Sequence, residues 1–298
     1  MFTRTFLFAL LLLHVSALSA NNLESGLHAY ASKNYTEAAK YFNVAAKQGN
    51  HEAQHHLGLM YAAGLGVSKS NSKAYDWFSK AASQNHLESK FEIGKLFSTG
   101  RKKEAAYVVA AEWFLKAAEV GHSGAQYSLG NLYFDGKGVE KNNELAFEWY
   151  RKAADSGHPA AQLKMATNTA DVREKIFWYT KVADQGDDRA QKSLGDIYFN
   201  DRLIEQDYAL ALQWYTKAAN NHNEGAYLQL GKLYESATPD IRDEDKAIYW
   251  YLEAAGADIS IGDFHAERLL KIRCKTKAQT ELEGVFLRCK KEKSESLE

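Results

Sequence analysis

The feature that most constrains this chain is an aromatic residue followed, four and five positions later, by a pair of small residues. The pattern occurs seven times, and the gaps between successive aromatic residues are 36, 36, 36, 29, 36 and 36. The aromatic positions are Tyr41, Trp77, Trp113, Trp149, Trp178, Trp214 and Trp250. Every tryptophan of the chain belongs to this series. Self-similarity at such a period indicates a repeat architecture.

A second pattern alternates with the first: an apolar residue and a glycine, then an aromatic residue three positions after the glycine. Apolar residues three and four apart are typical of one helix face. Each repeat therefore consists of helix A with the glycine, a turn, and helix B with the aromatic residue and small pair. Glycines in 64–67 and 136–139 fit left-handed helix C-caps. The apolar–glycine pairs are Leu57-Gly58, Ile93-Gly94, Leu129-Gly130, Leu194-Gly195 and Leu230-Gly231.

The recurring glycine and the small pair both indicate close packing between helices. Glycine inside a helix costs about 1 kcal/mol relative to alanine, so its return in five repeats predicts a close approach of neighbouring helices. We expect the small pair to act in the same way, with the aromatic residue four positions earlier filling the space beside it. A single hairpin cannot bury its apolar face, whereas stacked hairpins share a continuous core.

These patterns predict an all-α chain with three parts. Residues 1–20 form a signal peptide, 21–256 form about seven helical hairpins, and 257–298 form a C-terminal helical cap and polar tail. The fifth hairpin, near 159–186, is seven residues shorter than its neighbours and lacks the glycine turn. Seven residues are close to two helical turns, so helix B keeps its apolar phase.

The stretch from Ala125 to Gly157 resembles the Sel1-like repeat, a relative of the tetratricopeptide repeat. The family pattern is A-x-x-x-L-G-x-x-Y-x-x-G-x-G-V, followed by K-A-x-x-W-[FY]-x-K-A-A-x-x-G. The matching residues are Ala125, Leu129, Gly130, Tyr133, Gly136, Gly138, Val139, Ala146, Trp149, Tyr150, Lys152, Ala153 and Ala154. The resemblance extends from about Leu23 to Ala255 and implies a right-handed α-solenoid of tandem helix-turn-helix repeats. It leaves the function open.

The resemblance also implies where a partner binds, because helix A lines the concave groove in tetratricopeptide arrays. Transferred through the apolar–glycine register, the groove positions combine aromatic residues with charges, which suits a peptide or protein partner. Alternatively, Phe91, Tyr127 and Leu228 simply pack against the neighbouring helix. The candidate binding residues are His55, Leu59, Phe91, Lys95, Tyr127, Asn131, Phe134, Lys192, Phe199, Leu228 and Lys232.

The first twenty residues are typical of a secretory signal peptide. Arg4 precedes a short apolar run, and small residues follow it, as in cleavable signals. The run is shorter than the roughly 20 apolar residues of a membrane span. We expect cleavage after Ser19 or Ala20 and an exported protein, periplasmic or secreted, with no integral membrane span after cleavage. An uncleaved anchor is the alternative.

Two cysteines, Cys274 and Cys289, lie in the C-terminal region. In an exported protein an even pair suggests a disulfide. One straight helix could not hold both, because fifteen residues rise about 22 Å. We expect an extended return over 275–280 that brings a following helix, and with it Cys289, beside Cys274.

Candidate catalytic and metal-binding motifs have simpler interpretations. His86, His122 and His158 recur at the repeat period, but packed helices lie ~10 Å apart, so the three cannot share one ion. We interpret them as linker residues that help to start the next helix. Ser70 and Lys73 fit the S-x-x-K motif of penicillin-recognising enzymes, yet Ser-Asp-Asn and Lys-Thr-Gly are absent. We predict no catalytic residue, metal site or cofactor.

The leading functional prediction is an exported scaffold that binds a peptide or protein in its groove. The formal net charge of -1 gives no basic surface that would favour nucleic acid. Two alternatives remain open: a hydrolase of low activity on cell-wall fragments or β-lactams, and a structural component of an envelope or motility complex.

Overall fold

The computed structural model describes residues 19–99, 104–200, 203–257 and 260–278. Within these ranges it contains fifteen helices joined by turns and no strand, which confirms the all-α class. The helices are α1 (19–31), α2 (Tyr35–Lys47), α3 (His51–Ala63), α4 (Asn71–Ser83), α5 (Leu87–Thr99), α6 (Glu104–Ala118), α7 (Ser123–Asp135), α8 (Asn143–Asp155), α9 (Pro159–Asn168), α10 (Val172–Ala183), α11 (Asp188–Asn200), α12 (Tyr208–Asn220), α13 (Glu224–Ser236), α14 (Glu244–Gly256) and α15 (Ser260–Ala278).

The helices form seven hairpins, in which each odd-numbered helix up to α13 is helix A and the following helix is helix B. The chain divides into two compact units between Ala161 and Gln162, within α9. In the first unit each helix from α2 to α7 packs against the next, and α3 and α5 also contact the following helix A. In the second unit the helices from α10 to α15 pack in the same order, and α11 contacts α13. Hairpins therefore stack in sequence order within each unit.

The glycine turns after α3 and α7 have the predicted left-handed backbone. Gly64 and Gly136 are the C-caps of these helices, with φ angles of 78° and 71°. Gly66 also has a positive φ of 66°, and a Cβ at this position would lie 2.2 Å from the carbonyl oxygen of Tyr35. Glycine is therefore required there both by the backbone conformation and by the contact with the preceding helix B.

The glycine that recurs at one register position of helix A lies against an aromatic ring of helix B in the same hairpin. A Cβ built at Gly58 would lie 2.5 Å from the Phe78 ring, and one built at Gly130 would lie 2.7 Å from the Tyr150 ring. The rings are at most 2% exposed. The pairs are Gly26–Phe42, Gly58–Phe78, Gly94–Phe114, Gly130–Tyr150, Gly195–Tyr215 and Gly231–Tyr251. The missing side chain therefore makes room for a buried ring that closes the hairpin.

The ring that closes the hairpin belongs to the residue after the tryptophan, which the sequence analysis did not single out. The tryptophan packs across the joint instead: Trp77 contacts the core cluster that contains Ala45 and Ala46 of the preceding hairpin. The tryptophan thus packs on a core cluster that includes the small pair of the preceding hairpin. On the solvent side, the ammonium of Lys80 lies 4.0 Å from the centroid of the Trp77 ring, a cation–π geometry.

The shortened fifth hairpin consists of α9, with ten residues, and α10, with twelve. Helix A begins at Pro159 as predicted. Ala166 occupies the register position of the glycine and is fully buried, and Trp178 is only 3% exposed. In this hairpin the tryptophan itself is therefore part of the core.

In three hairpins a buried glutamine on helix A binds to the preceding helix B. Its side-chain amide donates to the carbonyl oxygen of the second small residue at the end of that helix. The donor–acceptor pairs, each 3.1 Å apart, are Gln54–Ala46, Gln126–Ala118 and Gln191–Ala183. Each carbonyl also accepts the backbone N–H three residues on, as in Gly49–Ala46 at 3.1 Å, so the glutamine supplies its second donor.

The glutamine oxygen accepts a second bond from the residue that lies two positions after the small pair of helix B in its own hairpin. Gln84 Nε2 lies 2.9 Å from Gln54 Oε1, and Asn221 and Gln185 make the equivalent bond to Gln191 and Gln162. In the fourth hairpin this residue is Ser156, whose side chain is shorter. There Gln126 Oε1 is buried and no described residue donates to it.

The last helix, α15, packs on the seventh hairpin. Its residues Leu269 and Leu270 share a core cluster with Tyr251 of α14. The helix continues to Ala278, so the extended return expected from residue 275 is wrong at least to that point. Cys274 lies within α15, whereas Cys289 lies outside the described residues, and their disulfide stays a prediction.

We expect Gly58→Ala to lower the free energy of unfolding by about 1–3 kcal/mol, because the added methyl group overlaps the fully buried Phe78 ring. Gly256→Ala is the matched control, since nothing lies within 4 Å of its added Cβ. The control should leave stability unchanged or raise it slightly, as alanine is the better helix former. Urea denaturation measures both, and equal effects would contradict the packing role of Gly58.

We expect Ser156→Gln to raise the free energy of unfolding by about 1 kcal/mol, because the longer amide can donate to the buried Gln126 Oε1. Gln84 and Gln185 already make this bond from the equivalent position of their own hairpins. Thermal and urea denaturation measure the gain. In a Gln126→Ala background the gain should vanish, and a gain that persists there would rule out this bond as its cause.

Candidate functional site

Three of the predicted binding residues occupy one register position on successive A helices of the first unit. His55 lies on α3, Phe91 on α5 and Tyr127 on α7. Each ring packs against the histidine that precedes the next helix A. The ring centroids are 4.7 Å apart for His55 and His86, 4.4 Å for Phe91 and His122, and 4.7 Å for Tyr127 and His158. Phe91 and Tyr127 are half-buried, so they pack against a neighbour and also keep part of their surface in solvent.

The three linker histidines begin the next helix, as the sequence analysis predicted. Nδ1 of each ring accepts a bond from a backbone N–H in the first helical turn: from Ser89 for His86, from Ala125 for His122 and from Ala161 for His158. An Nδ1 that accepts places the proton of the neutral ring on Nε2. In His122 this nitrogen lies 2.5 Å from a carboxylate oxygen of Glu88. Capping and a contact between hairpins are thus combined in one side chain.

His55 differs from its register partners because it is buried, with 8% of its surface exposed. Its Nδ1 lies 3.0 Å from the hydroxyl of Ser89, which is fully buried. Burial lowers the pKa of His55 to about 3, and nearby His86, His56 and Lys95 act in the same direction. His55 is therefore a neutral core residue and offers little surface to a partner, which corrects its assignment as a groove residue.

The remaining predicted residues of the first unit have mixed environments. Leu59 packs on the cluster around Phe78. Lys95 is exposed and pairs with Glu92 at 2.6 Å, whereas Asn131 Oδ1 accepts a bond from the Tyr150 hydroxyl at 2.8 Å. Phe134 is half-buried and meets Phe147 edge-on. Of these four residues Lys95 is exposed, whereas Leu59, Asn131 and Phe134 are half-buried.

In the second unit, two predicted residues line an open cavity of about 500 Å³ between consecutive A helices. Phe199 of α11 and Lys232 of α13 both line it, as does Tyr215 of α12. Leu228 instead packs against the cluster around Tyr251, as the alternative interpretation held. The lining residues are Asp196, Ile197, Phe199, Asn200, Tyr215, Gln229 and Lys232.

Among the described residues that line this cavity, the ammonium of Lys232 is available to a partner. Asp196 uses both carboxylate oxygens, because Oδ1 accepts from the Tyr215 hydroxyl at 2.9 Å and Oδ2 pairs with Lys192 at 2.6 Å. Burial and the adjacent Asp196 raise the pKa of Tyr215 above its usual value, so this hydroxyl stays a donor. Lys232 makes no ion pair with any residue that the structure describes. Its ammonium can therefore bind an acidic group.

Two further motifs have defined positions. Ser70 is the N-cap of α4, and its hydroxyl accepts a bond from the backbone N–H of Lys73 at 3.3 Å, which explains the S-x-x-K spacing. The structure also brings His51, Glu52 and His86 together, a group that the sequence analysis missed. It could have been found by placing the repeats in register, since His86 stands before the next helix A and His51 begins the preceding one.

A family model of the Sel1 repeat matches residues 18–50, 51–86, 87–122, 123–158, 176–187, 188–223 and 225–258. Six of these segments each cover one hairpin, the fifth covers only the end of α10, and together they span most of the chain. The chain belongs to the Sel1 repeat family. Its stacked hairpins are therefore those of a Sel1-type α-solenoid, a fold that generally serves as a scaffold for interactions between proteins.

Solved structures of other Sel1 repeat proteins are similar. One is c5321, described as a protective antigen present in uropathogenic Escherichia coli strains that displays an SLR fold, with 28% identity and a TM-score of 0.70 over 88% of this chain. This chain spans only 62% of c5321. A Sel1 repeat protein from Oxalobacter formigenes has 32% identity and a TM-score of 0.61, covering 79% of this chain and 99% of its own. A search of curated proteins found no match.

The predicted signal peptide lies almost wholly in residues 1–18, outside the described part of the chain. Export of this Sel1 repeat protein therefore remains a prediction. Among the described helices, none combines the length and the apolar character that a membrane crossing requires.

We expect the pH dependence of stability to change in His55→Phe, which copies Phe91 at the same register position. Because the folded-state pKa of His55 is about 3 and its unfolded value is about 6.5, only the unfolded chain binds this proton in that range. Stability is therefore complete above about pH 6.5 and falls by up to about 1.4 kcal/mol per pH unit below it.

Urea denaturation of both proteins at several values from pH 6.5 to 4.5 measures the difference. His55→Phe should show a shallower loss of stability on acidification, by about 1.4 kcal/mol per pH unit. Carboxylates and the other histidines contribute equally to both proteins, so parallel curves would show that His55 is not held neutral.

Proposed function

We propose that this Sel1 repeat protein is an exported scaffold that binds an extended segment of a protein partner along its A helices. The observation that carries the proposal is the cavity lined by residues of α11 and α13, among them Phe199 and Lys232. Its volume is within the range of about 300–1,000 Å³ typical of ligand sites. It is large enough for one or two partner side chains.

The chemistry of the cavity defines the partner segment. Phe199 supplies an aromatic surface, and aromatic residues are enriched where binding energy concentrates. Lys232 supplies a cation, while the carboxylate of Asp196 is already satisfied by Lys192 and Tyr215. The segment that fits therefore carries an apolar side chain next to an acidic side chain or a C-terminal carboxylate.

In the first unit, Phe91 and Tyr127 occupy one register position on successive A helices and provide a second aromatic surface. Both are half-buried, and Lys95 Nζ lies 5.3 Å from the centroid of the Phe91 ring. We treat this surface as a separate contact region. Neither a cell-wall hydrolase nor a structural role in an envelope or motility complex has a specific observation in its favour among the described residues.

The proposed exported location rests on the signal-like sequence of residues 1–20. The description of c5321 as a protective antigen is compatible with it, although that description applies to a longer protein. Mass spectrometry of the mature protein from fractionated cells tests the location, since export with cleavage predicts an N-terminus at Ala20 or Asn21.

We expect Phe199→Ala/Lys232→Ala to abolish capture of the partner in a pull-down from envelope fractions. The double variant removes the apolar surface and the cation of the cavity together, and a hot-spot pair of this kind is worth on the order of 2–4 kcal/mol or more. A bound protein identified with the unchanged chain is then measured quantitatively by isothermal titration calorimetry.

Phe177→Ala is the matched control, because Phe177 is 51% exposed and lies on a helix B. It should bind as the unchanged protein does. Phe91→Ala/Tyr127→Ala tests the first unit separately, and circular dichroism confirms that each variant is folded. If the partner binds the cavity variant with unchanged affinity, the cavity is not the binding site.

A further inference from the structure

Three potential metal ligands meet at the joint between the second and third hairpins. His51 and Glu52 are the first two residues of α3, and His86 precedes α5. His86 Nε2 lies 3.4 Å from Glu52 Oε2, and His51 Nδ1 lies 3.8 Å from Glu52 Oε1. One ligand atom from each residue lies within 4.8 Å of the others. The two imidazole rings are 5.3 Å apart, centroid to centroid.

We propose that His51, Glu52 and His86 bind a divalent transition-metal ion, Zn²⁺ in the first instance. Two imidazoles and one carboxylate form a donor set that suits zinc, and three protein ligands leave a fourth position for water. Zinc–ligand bonds of 2.0–2.2 Å place tetrahedral ligand atoms about 3.3 Å apart. His51 and Glu52 are exposed, so their side chains can close this short remaining distance by rotation.

The orientation of His86 supports the site independently of the three ligands. Its Nδ1 lies 3.0 Å from the hydroxyl of Ser89, and the same hydroxyl lies 3.0 Å from Nδ1 of His55. Metal-binding histidines usually donate their other ring N–H to a polar partner that fixes the ring. Ser89 is fully buried and is held by the neighbouring helices, so it can serve as that partner.

Metal binding requires the proton of His86 to move from Nε2 to Nδ1. The Nδ1–H can then donate to the Ser89 hydroxyl, which in turn donates to Nδ1 of the neutral His55. The backbone N–H of Ser89, now 3.2 Å from His86 Nδ1, gives up its bond to the ring in exchange. The chain of donors and acceptors is complete in the metal-bound form, and His55 supplies its final acceptor.

The next joint provides an internal comparison. Glu88 and His122 repeat the Glu52–His86 pair one hairpin later, with Nε2 and carboxylate oxygen 2.5 Å apart. At the position of His51, however, this joint has Leu87. It therefore offers two ligands instead of three and should bind zinc much more weakly.

The test is titration of the untagged protein with Zn²⁺ by isothermal titration calorimetry, and with Co²⁺ by visible absorption. We expect one ion per chain at this site, a rise in melting temperature with Zn²⁺, and no rise with Mg²⁺. His51→Gln and His86→Asn should each weaken binding about 100-fold or more, beyond the 10–100-fold typical of outer partners. Asparagine precedes α3 and α13 in this chain, so His86→Asn retains the helix cap.

Two further variants separate the site from adventitious binding by surface histidines. Ser89→Ala should weaken Zn²⁺ binding about 10- to 100-fold, and Leu87→His should add a second ion at the next joint. Binding that survives His51→Gln and His86→Asn unchanged overturns the proposal, as does the absence of any one-to-one binding. Circular dichroism without metal confirms that each variant is folded.

Discussion

The architecture depends on one contact that recurs in six of the seven hairpins, a buried aromatic ring of helix B against a glycine of helix A. Because glycine has no Cβ, the ring approaches the backbone of helix A directly, and this fixes the rotation of both helices about their axes. Fully buried rings such as Phe78 and Tyr215 leave little freedom to shift. Once these rotations are fixed, the tryptophan one position earlier on helix B faces the preceding hairpin. Equivalent residues of successive A helices then meet the histidine that precedes the next helix A.

Polar bonds between hairpins follow from the same register. The buried glutamine on helix A lies within reach of the carbonyl that ends the preceding helix B, and its oxygen faces the C-cap of its own helix B. A buried amide with both ends bonded adds directional specificity to an otherwise apolar joint. The fourth hairpin shows the dependence on side-chain length, since Ser156 leaves Gln126 Oε1 without a described donor.

Periodicity in the sequence was enough to predict the helices, their pairing and their stacking, because each follows from the spacing of apolar and small residues. It could not decide which of two adjacent aromatic residues closes the hairpin, since Trp77 and Phe78 recur with the same period. That choice depends on the rotation of helix B, which only packing fixes. The binding surface was predicted in part: Phe199 and Lys232 line a cavity, whereas His55 is buried and Leu228 packs against the core.

The repeats share one helical arrangement, so a residue that differs between equivalent positions shows what that position requires. The residue that caps helix A is such a position. Six hairpins are preceded by a capping residue, and asparagine, aspartate and histidine all accept the backbone bond there. Capping alone therefore does not select histidine. Histidine occurs where the preceding helix A has an aromatic ring at the register position, as in His55–His86, Phe91–His122 and Tyr127–His158. Where that position holds leucine or lysine, the cap is asparagine or aspartate: Leu23–Asn50, Leu163–Asp187 and Lys192–Asn223.

This correlation indicates that ring-on-ring packing across the joint decides the identity of the cap. A histidine placed for packing also directs its Nε2 toward the first turn of the preceding helix A, where Glu52 and Glu88 lie. Ligand geometry at the second joint thus arises from a packing requirement, and the additional histidine at position 51 is the single difference that turns a paired contact into a set of three donors.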